Sequence, residues 1–458
     1  MPTGRTHQEA LGVGRLFGTD GVRGLANDDL TAELALGLGV AAAHVLGDAG
    51  AFEGHRPKAV IGHDSRASGE FLEAAVVAGL ASAGVDVVRL DIVPTPAVAY
   101  LTDVLNADLG VMLSASHNPM PDNGVKFFAR GGHKLADDVE DAIERRLQEE
   151  WRRPTGSAVG RVISAPETVG RYMDHLVGTL SNRLDGVKVV VDCANGAGSF
   201  VAPETLRRAG AEVMAIHHAP DGLNINADCG STHMRSLQDA VVESGAHAGI
   251  ALDGDADRCL AVSAEGAIVD GDQILGVIAV ALRNCGRLSK NTVVSTVMAN
   301  LGFRLAMEEA AITVVSTDVG DRYVLEEMRS GGYTLGGEQS GHLLLLDHAT
   351  TGDGVLTALQ LLSELAVSGG SLAELTSVVT RLPQVLINVA DVDKTRVSNP
   401  QLVAAVLRAE RELGDSGRVL LRPSGTEQVV RVMVEAVDPG QAHDVAEQLA
   451  EVVRQTLR

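Results

Sequence analysis

Short apolar runs alternate with amphipathic segments along most of the chain. The run "KAVIGHD" (58–64) predicts a buried strand. An apolar stripe at helical spacing follows it, formed by Leu72, Ala75, Val76, Gly79, Leu80 and Ala83. Gly84 would end that helix, and "VDVVRLDIV" (85–93) predicts the next strand. The same cycle recurs over 187–216 and 293–317. This alternation predicts an α/β protein built from βαβ units, with mixed or parallel sheets.

Three candidate domain boundaries divide this pattern into four predicted domains. The last part of the chain differs from the rest because three strand-like runs are followed by one long helical segment. The predicted domains are an α/β domain over 1–160, a second over 161–268, a third over 269–381 and a smaller α+β domain over 382–458.

The stretch "GLGVAA" (37–42) partly matches a dinucleotide-binding fingerprint. It lies inside a helical segment that begins near Thr31, and no strand precedes it. The fingerprint needs a strand-to-helix turn, so that phosphate can reach the helix N-terminus. Glycines that allow close helix packing explain this stretch better than a nucleotide cofactor does.

Composition narrows the class of protein further. Hydrophobic residues make up 45% of the 458 residues and charged residues 21%, which is ordinary for a globular protein. Aromatic residues are only 3%, so Ala, Val and Leu must build the core. The formal charge of −22 argues against general binding to nucleic acids or to anionic membranes.

The four cysteines and the N-terminus favour a cytoplasmic protein. Cys193, Cys229, Cys259 and Cys285 form no CxxC pair, and their spacing supports neither a zinc site nor a disulfide framework. The first residues lack the apolar segment of a signal peptide, and no apolar run reaches the roughly 20 residues that span a bilayer.

The sharpest local motif is "DGDADR" (253–258), which follows the apolar run "AGIAL". Asp253, Asp255 and Asp257 stand at alternate positions, so their carboxylates are expected on one side of an extended backbone. Crowded carboxylates favour a hard divalent cation such as Mg²⁺, Mn²⁺ or Ca²⁺. An EF-hand is excluded, because its Gly and Glu positions hold Arg258 and Ala264. The alternative is an acidic surface turn.

Three further motifs are individually ambiguous. "RPSGTE" (422–427), followed by Arg431, suits a phosphate group but equally a hairpin turn. "GGEQSGH" (336–342) could present Glu338, Ser340 and His342 to a polyhydroxylated ligand. "FGTDGVRG" (17–24), which contains Arg23, is weak alone, and "GHDSR" (62–66) could line a site or be a hydrogen-bonded loop.

The segment "SASHNP" (114–119) ends an apolar run in small polar residues. Ser116 beside His117 does not indicate a hydrolase triad, because adjacent residues rarely place Oγ and imidazole in hydrogen-bonding geometry. A G-x-S-x-G elbow is also absent from the sequence. The segment alone is compatible with a turn or with an active site.

Taken together, these motifs resemble the α-D-phosphohexomutases. The resemblance rests on "FGTDGVRG", "SASHNPMPDNGVKFF", "DGDADR", "TDVGDRYV", "GGEQSGH" and "RPSGTE", which occur in the family's order and span nearly the whole chain. It implies four domains around a central cleft, three of them related mixed α/β domains and the fourth a smaller α+β domain.

The resemblance also implies roles for individual residues. Ser116 matches the serine that carries the transferable phosphoryl group, and Lys126 and His342 match positions that exchange protons with the sugar hydroxyl. Arg23 and His117 complete the candidate catalytic set. The implied ligands of one Mg²⁺ per subunit are the phosphorylated Ser116, Asp253, Asp255 and Asp257. The implied substrate-binding residues are Glu338, Ser340, Arg422, Ser424, Gly425, Thr426 and Arg431.

The implied reaction interconverts glucosamine 6-phosphate and glucosamine 1-phosphate through glucosamine 1,6-bisphosphate, for UDP-N-acetylglucosamine and peptidoglycan precursor synthesis. Gln339 favours the amino sugar, because family members acting on mannose or glucose phosphates usually carry Met there. The resemblance further implies a homodimer and a kinase or sugar bisphosphate that primes Ser116. The alternatives are a mutase for those other sugars, a metal-dependent phosphatase and a non-catalytic sugar-phosphate sensor.

Overall fold

The alternating strands and helices predicted from the sequence are present in a computed structural model, which describes residues 15–18, 20–424 and 428–457. The chain forms two compact units. The larger contains the described residues up to Met298 together with Ile312–Ser377, and the smaller contains Ala299–Ala311 and the described residues from Val378 onward. Within the described residues, no helix is long and apolar enough to cross a membrane.

The larger unit begins with a sheet of strand order β1-β5-β4-β2-β3-β7, with β6 against β5. Strands β2, β3, β4 and β7 are parallel, whereas β5 runs antiparallel to β4. Its elements are β1 (Val22–Leu25), α1 (Ala32–Asp48), β2 (Lys58–His63), α2 (Ser68–Ser82), β3 (Asp86–Ile92), α3 (Thr95–Val104), β4 (Leu109–Leu113), β5 (Asp122–Ala129), β6 (His133–Lys134), α4 (Asp137–Arg146) and β7 (Val162–Ser164).

The second sheet has the order β12-β11-β10-β8-β9, in which β8, β9 and β10 are parallel and β11 is antiparallel to β10. Its elements are α5 (Val169–Gly178), β8 (Lys188–Asp192), α6 (Gly198–Ala209), β9 (Glu212–Ile216), α7 (Arg235–Ser244), β10 (Ala248–Leu252), β11 (Cys259–Ser263) and β12 (Ile268–Val269).

The third sheet has the order β14-β13-β15-β16, with β13, β14 and β15 parallel and β16 antiparallel to β15. The elements of this stretch of chain are α8 (Gly271–Asn284), β13 (Thr292–Thr296), α9 (Leu301–Glu309), β14 (Thr313–Thr317), α10 (Asp321–Gly331), β15 (Leu335–Gly337), β16 (Leu343–Leu345), α11 (Gly354–Ser368) and α12 (Leu372–Thr376). Helix α9 belongs to the smaller unit.

All three sheets repeat one topology, which confirms the predicted set of related α/β domains. The shared orders are β3-β2-β4-β5, β9-β8-β10-β11 and β14-β13-β15-β16. In each, the third parallel strand turns directly into an antiparallel fourth strand. The first two turns contain "SASHNP" and "DGDADR", and "GGEQSGH" runs from the end of β15 through the third turn. The topology therefore places each motif at the carboxyl end of a parallel strand, where α/β sheets commonly bind ligands.

The smaller unit is α+β, as predicted for the end of the chain. Its three strands are antiparallel in the order β17-β19-β18. Asn300 caps α9, and its Nδ2 donates to the carbonyl of Leu382 and to Glu435. Besides α9, its elements are β17 (Gln384–Ala390), α13 (Pro400–Leu413), β18 (Gly417–Pro423), β19 (Val429–Ala436) and α14 (Pro439–Thr456).

Two glycines allow α1 and α2 to pack closely. A Cβ added to Gly39 would lie 2.9 Å from the carbonyl oxygen of Val76, and one added to Gly79 would lie 2.3 Å from that of Leu36. Thr31 caps α1 by accepting a hydrogen bond from the Leu34 amide at 3.2 Å. The "GLGVAA" stretch thus serves helix packing, as the sequence indicated.

We expect Gly79→Ala to lower the thermal melting temperature, because the added methyl group forces the two helices apart and overpacking costs about 1–3 kcal/mol. The matched control is Gly170→Ala, in α5, where nothing lies within 4 Å of an added Cβ. The control should be stabilised by roughly 0.5–1 kcal/mol, because Ala has a higher helix propensity than Gly. It should therefore melt at or above the wild-type temperature. Equal melting temperatures for the two variants would contradict the close packing.

Candidate active site

The three aspartates of "DGDADR" form a buried acidic cluster in the turn between β10 and β11. Their ligand atoms lie within 4.8 Å of one another. Asp253, Asp255 and Asp257 are at most 4% exposed, so the alternative of an acidic surface turn is wrong. Burial, together with Asp257 and Asp255, raises the pKa of Asp253 well above its ordinary value.

The cluster has the donor chemistry of a hard divalent-cation site. Oδ1 of Asp255 and Oδ1 of Asp257 are buried oxygens without a hydrogen-bond partner. Buried carboxylate oxygens that accept no hydrogen bond are costly unless positive charge balances them. The residues present therefore fit Mg²⁺, which prefers carboxylate oxygen ligands.

Ser116 lies directly against this cluster, in the turn that follows β4. Its side chain is buried, and Oγ donates a hydrogen bond to Oδ2 of Asp253 at 2.5 Å. Its φ of 52° is left-handed, which is uncommon for a residue other than glycine. Gly254 permits the approach, because a Cβ there would lie 2.5 Å from the Ser116 carbonyl oxygen. The structure thus brings together the serine and the three aspartates that the sequence singled out.

The buried guanidinium of Arg66 holds the Ser116 turn in place. It donates to the carbonyl oxygens of Ser116 at 3.0 Å and Asn118 at 2.8 Å, and also to those of Pro119 and Asp122. Asp64 fixes this guanidinium through a bond of 2.9 Å between Nε and Oδ2. The "GHDSR" segment is therefore a hydrogen-bonded support for the turn, one of its two predicted readings.

His117 contacts Ser116, contrary to the expectation for adjacent residues. Nδ1 of His117 lies 3.3 Å from Oγ of Ser116. The left-handed backbone at Ser116 turns the two side chains toward each other, which sequence adjacency alone did not predict. Burial and the charges of Arg258 and Arg23 lower the pKa of His117 to about 4.

Lys126 and Arg23 provide positive charge beside the acidic cluster. Nζ of Lys126, on β5, lies 2.8 Å from Oδ2 of Asp255 and 2.8 Å from Oδ2 of Asp20. Burial lowers the pKa of Lys126, but Asp20, Asp255 and Asp257 outweigh that effect and raise it. Arg23, on β1, pairs with Asp20. Lys126 is therefore a charged group in direct contact with the cluster.

His342 reaches the cluster from the turn between β15 and β16. Its Nδ1 lies 3.6 Å from Oδ1 of Asp257, and its Nε2 lies 3.6 Å from Oδ2 of Asp321. Burial lowers the pKa of His342, but the two carboxylates outweigh it and raise the pKa to about 9. Gly352 leaves space for the ring, since a Cβ there would lie 2.4 Å from it.

Lys134 connects the surroundings of Lys126 and His342. Its Nζ donates to Oδ1 of Asp20 at 2.9 Å and also to Asp321. Asp20 contacts Lys126, and Asp321 contacts His342. A continuous chain of alternating charges thus joins the two candidate proton-exchange residues.

Glu338 and Ser340 lie together in the same turn as His342. Oε1 of Glu338 accepts from the Gly320 amide at 3.0 Å, and Oγ of Ser340 lies 3.5 Å from Oε2 of Glu338. Nε2 of Gln339 donates instead to Asp270, at 3.4 Å, the residue that caps α8. Gln339 therefore supports the turn, while Glu338 and Ser340 provide polar groups on it.

The candidate phosphate-binding residues that the structure describes lie in the smaller unit. Arg422 on β18 and Arg431 on β19 are directly opposite each other in the register of the sheet. Two arginines in opposite positions concentrate positive charge at this point of the sheet. The backbone amide of Ser424 donates to the Val429 carbonyl at 2.8 Å. Gly425 and Thr426 lie outside the described residues.

Several residues at the site were not identified from the sequence. Thr95 donates to Oδ2 of Asp255 at 2.6 Å, and Nδ2 of Asn226 donates to the Ser116 carbonyl at 2.9 Å. Arg258 lies within the acidic motif itself, and its Nε is 4.0 Å from Oδ1 of Asp257. Asp20 and Asp321 were not identified either. They stand in the motifs "FGTDGVRG" and "TDVGDRYV", so the acidic residues of these motifs were the signal that could have identified them.

Comparison with known proteins identifies the family. Four family descriptions match in order: phosphoglucomutase/phosphomannomutase alpha/beta/alpha domain I at residues 14–153, domain II at 170–266, domain III at 270–382 and the C-terminal domain at 386–452. Phosphoglucosamine mutases from Streptomyces griseus and Nocardioides sp. are 67% and 66% identical over 97% of this chain, covering 100% and 99% of those relatives. The chain belongs to the phosphoglucosamine mutases of this family. It is an isomerase, as the resemblance implied.

Solved structures share the fold. A phosphoglucomutase/phosphomannomutase family protein from Burkholderia thailandensis matches with a TM-score of 0.80 at 24% identity, over 97% of this chain and 98% of that one. An N-acetylphosphoglucosamine mutase from Aspergillus fumigatus, in complex with GlcNAc-6P and magnesium, matches with a TM-score of 0.69 at 19% identity, over 98% and 97% of the two chains. These matches confirm the phosphohexomutase architecture.

We expect Arg66→Lys to accelerate amide hydrogen exchange in the Ser116 turn, because one ammonium cannot bond all the carbonyls that the guanidinium spans. Each buried carbonyl left unpaired costs about 1–3 kcal/mol. The matched control is Arg56→Lys, since Arg56 is also bonded to carbonyls but is 43% exposed. Unchanged exchange over 114–122 in Arg66→Lys would contradict the proposed support.

A second prediction concerns the acidic cluster. In chelator, Asp253→Asn should melt at a higher temperature than the wild type, because one of three mutually repelling buried carboxylates is lost, a gain of about 1 kcal/mol. Added Mg²⁺ should raise the wild-type melting temperature but not that of the variant. Asp239→Asn, on the exposed surface of α7, is the control and should behave as the wild type. A variant that keeps the full Mg²⁺ response would show that the cluster does not bind the ion.

Proposed function

We propose that this enzyme interconverts glucosamine 6-phosphate and glucosamine 1-phosphate and that Ser116 carries the phosphoryl group. The observation that supports this most strongly is the contact of 2.5 Å between Ser116 Oγ and the acidic cluster. A hydroxyl beside a divalent-cation donor set is suited to carrying a phosphoryl group, since the cation balances the charge of that group. The shared name of the close relatives supports the amino-sugar substrate.

Two transfers complete the proposed reaction. In the first, the bond between phosphorus and Ser116 Oγ breaks as the C1 hydroxyl oxygen of glucosamine 6-phosphate bonds to phosphorus. The proton of that hydroxyl passes, through Lys126 and His342, to the leaving oxygen Ser116 Oγ, and glucosamine 1,6-bisphosphate results. After this intermediate turns around, the bond between phosphorus and the C6 oxygen breaks as Ser116 Oγ bonds to phosphorus. The Oγ proton returns to the C6 oxygen, which leaves glucosamine 1-phosphate. Phosphate is conserved, so the enzyme must begin phosphorylated on Ser116.

The residues around Ser116 divide the chemical work in this proposal. Lys126 and His342 exchange protons with the sugar hydroxyl, and Arg23 and His117 add charge and polarity at the same place. Asp253, Asp255 and Asp257 would hold one Mg²⁺ per subunit together with the phosphorylated Ser116. When bound, that ion neutralises negative charge on the phosphoryl group and polarises it toward attack.

Substrate recognition is assigned to two groups of residues. Glu338 and Ser340 contact sugar hydroxyls, because both are polar groups on the turn that contains His342. Arg422, Ser424 and Arg431 bind the phosphate that does not react, together with Gly425 and Thr426. The facing arginines on β18 and β19 support this assignment, since a phosphate dianion can accept hydrogen bonds from both. A cytoplasmic location, a homodimer and priming of Ser116 by a kinase or a sugar bisphosphate remain predictions.

The proposal predicts a clear order of turnover among hexose 6-phosphates. With Mg²⁺ and a sugar 1,6-bisphosphate present, kcat/KM for glucosamine 6-phosphate should exceed that for the glucose and mannose analogues at least about tenfold, or 1.4 kcal/mol. Ser116→Ala should lose at least about 10³-fold in kcat, whereas Ser82→Ala, at the end of α2, should retain wild-type turnover.

The same assay separates the alternative functions. Release of inorganic phosphate in step with substrate loss would indicate a phosphatase, and a preference for the unaminated sugars would indicate a different mutase. Binding of all three sugars without turnover would indicate a sensor.

A further inference from the structure

A second cluster of potential metal ligands lies in the second sheet. Asp192 ends β8, His217 follows β9, and Cys229 lies in the connection that leads to α7. Their ligand atoms lie within 4.8 Å of one another, and Nδ1 of His217 is 3.0 Å from Oδ2 of Asp192. Cysteine spacing gave no sign of this group, because its members come from three separate segments and only one is a cysteine.

We propose that Asp192, His217 and Cys229 bind a zinc-class metal ion. A thiolate, an imidazole and a carboxylate form a donor set typical of Zn²⁺, with water in the fourth position. Asp192 and Cys229 are fully buried, whereas 31% of the His217 side chain is exposed. Solvent reaches the imidazole, so water would be available as the fourth ligand. Tetrahedral ligands of zinc lie roughly 3.3–3.8 Å apart, so small side-chain shifts suffice.

The surrounding hydrogen bonds orient these ligands. Oδ1 of Asp192 accepts from the Ala194 amide at 2.9 Å, and Oδ2 accepts from the Gly230 amide at 3.0 Å. Nδ2 of Asn195 lies 4.0 Å from Sγ of Cys229, as a donor to the sulfur. Such outer contacts are characteristic of metal sites, where they fix the ligand atoms before the ion binds.

The contact between the His217 imidazole and the Asp192 carboxylate is the shortest that the structure gives within the cluster. Nδ1 lies 3.0 Å from Oδ2 of Asp192, but the angles do not make this contact a hydrogen bond. The pair is an ion pair when the ring is protonated, and a bound metal ion would replace that proton between the imidazole and the carboxylate.

The site differs chemically from the Asp253 cluster, so the two should select different ions. Three carboxylates favour Mg²⁺, whereas the sulfur and nitrogen donors of the second cluster favour softer ions.

The second cluster also borders the Ser116 turn. The amide of Asn226 donates to the Ala194 carbonyl at 2.9 Å, and its side chain donates to the Ser116 carbonyl at 2.9 Å. A bound ion would therefore stiffen a segment that holds Ser116.

Co²⁺ is the probe for this site, because cobalt bound to a thiolate gives a sulfur-to-metal charge-transfer band that oxygen ligands cannot give. The full chain, stripped with chelator and kept reduced, is titrated with Co²⁺ while excess Mg²⁺ fills the Asp253 cluster. We expect one equivalent of Co²⁺ to produce the band and one equivalent of Zn²⁺ to abolish it. This readout does not depend on mutase activity, so it can fail while the proposed function stands.

Variants decide which thiol is responsible. Cys229→Ser should remove the band, and His217→Asn should weaken Co²⁺ binding at least about tenfold while tolerating the left-handed φ of 44° at that position. Cys285→Ser removes the exposed cysteine and is the matched control, which should keep the band. A wild-type chain without the band, a band that persists in Cys229→Ser or unchanged Co²⁺ affinity in His217→Asn would overturn the proposal.

Discussion

The contact between Ser116 and a buried cluster of carboxylates is the constraint on which the site depends. Three aspartates, two of which have an oxygen that accepts no hydrogen bond, cannot remain close in a low-dielectric interior without compensation. The chain provides part of it through Lys126 and His342, and a bound cation would provide the rest. The same arrangement that costs folding free energy lets a bound cation balance the negative charge of a phosphoryl group on Ser116.

The repeated topology explains how distant segments supply one site. Each of the three related sheets turns from a parallel strand into an antiparallel one, and each turn holds a different chemical component. The first presents Ser116, the second the aspartates, and the third His342 with Glu338. Arg66 and the charged chain through Lys134 then fix these turns, so the positions of the reactive groups follow from packing as well as from strand order.

Periodicity predicted the elements well because burial imposes it locally. The strand expected at 58–64 is β2, and the helix expected to stop at Gly84 ends at Ser82. Ser116 and the aspartates were predictable from the motifs that contain them. The role of Arg66 was not predictable from the sequence. Neither was the contact of Lys134 with Asp321, because these two residues lie 187 positions apart. The Ser116–His117 contact depends on a left-handed backbone that the side chains do not encode.

Peptide mass spectrometry of the Ser116 segment tests the central claim most directly. The full chain is primed with an isotopically labelled hexose 1,6-bisphosphate, freed of small molecules and then given unlabelled glucosamine 6-phosphate with Mg²⁺. The account predicts one labelled phosphoryl group on Ser116 that moves to the sugar phosphate within the first turnovers. A Ser116 peptide that never gains the phosphoryl group while the enzyme turns over, or that keeps its label throughout turnover, would contradict the account.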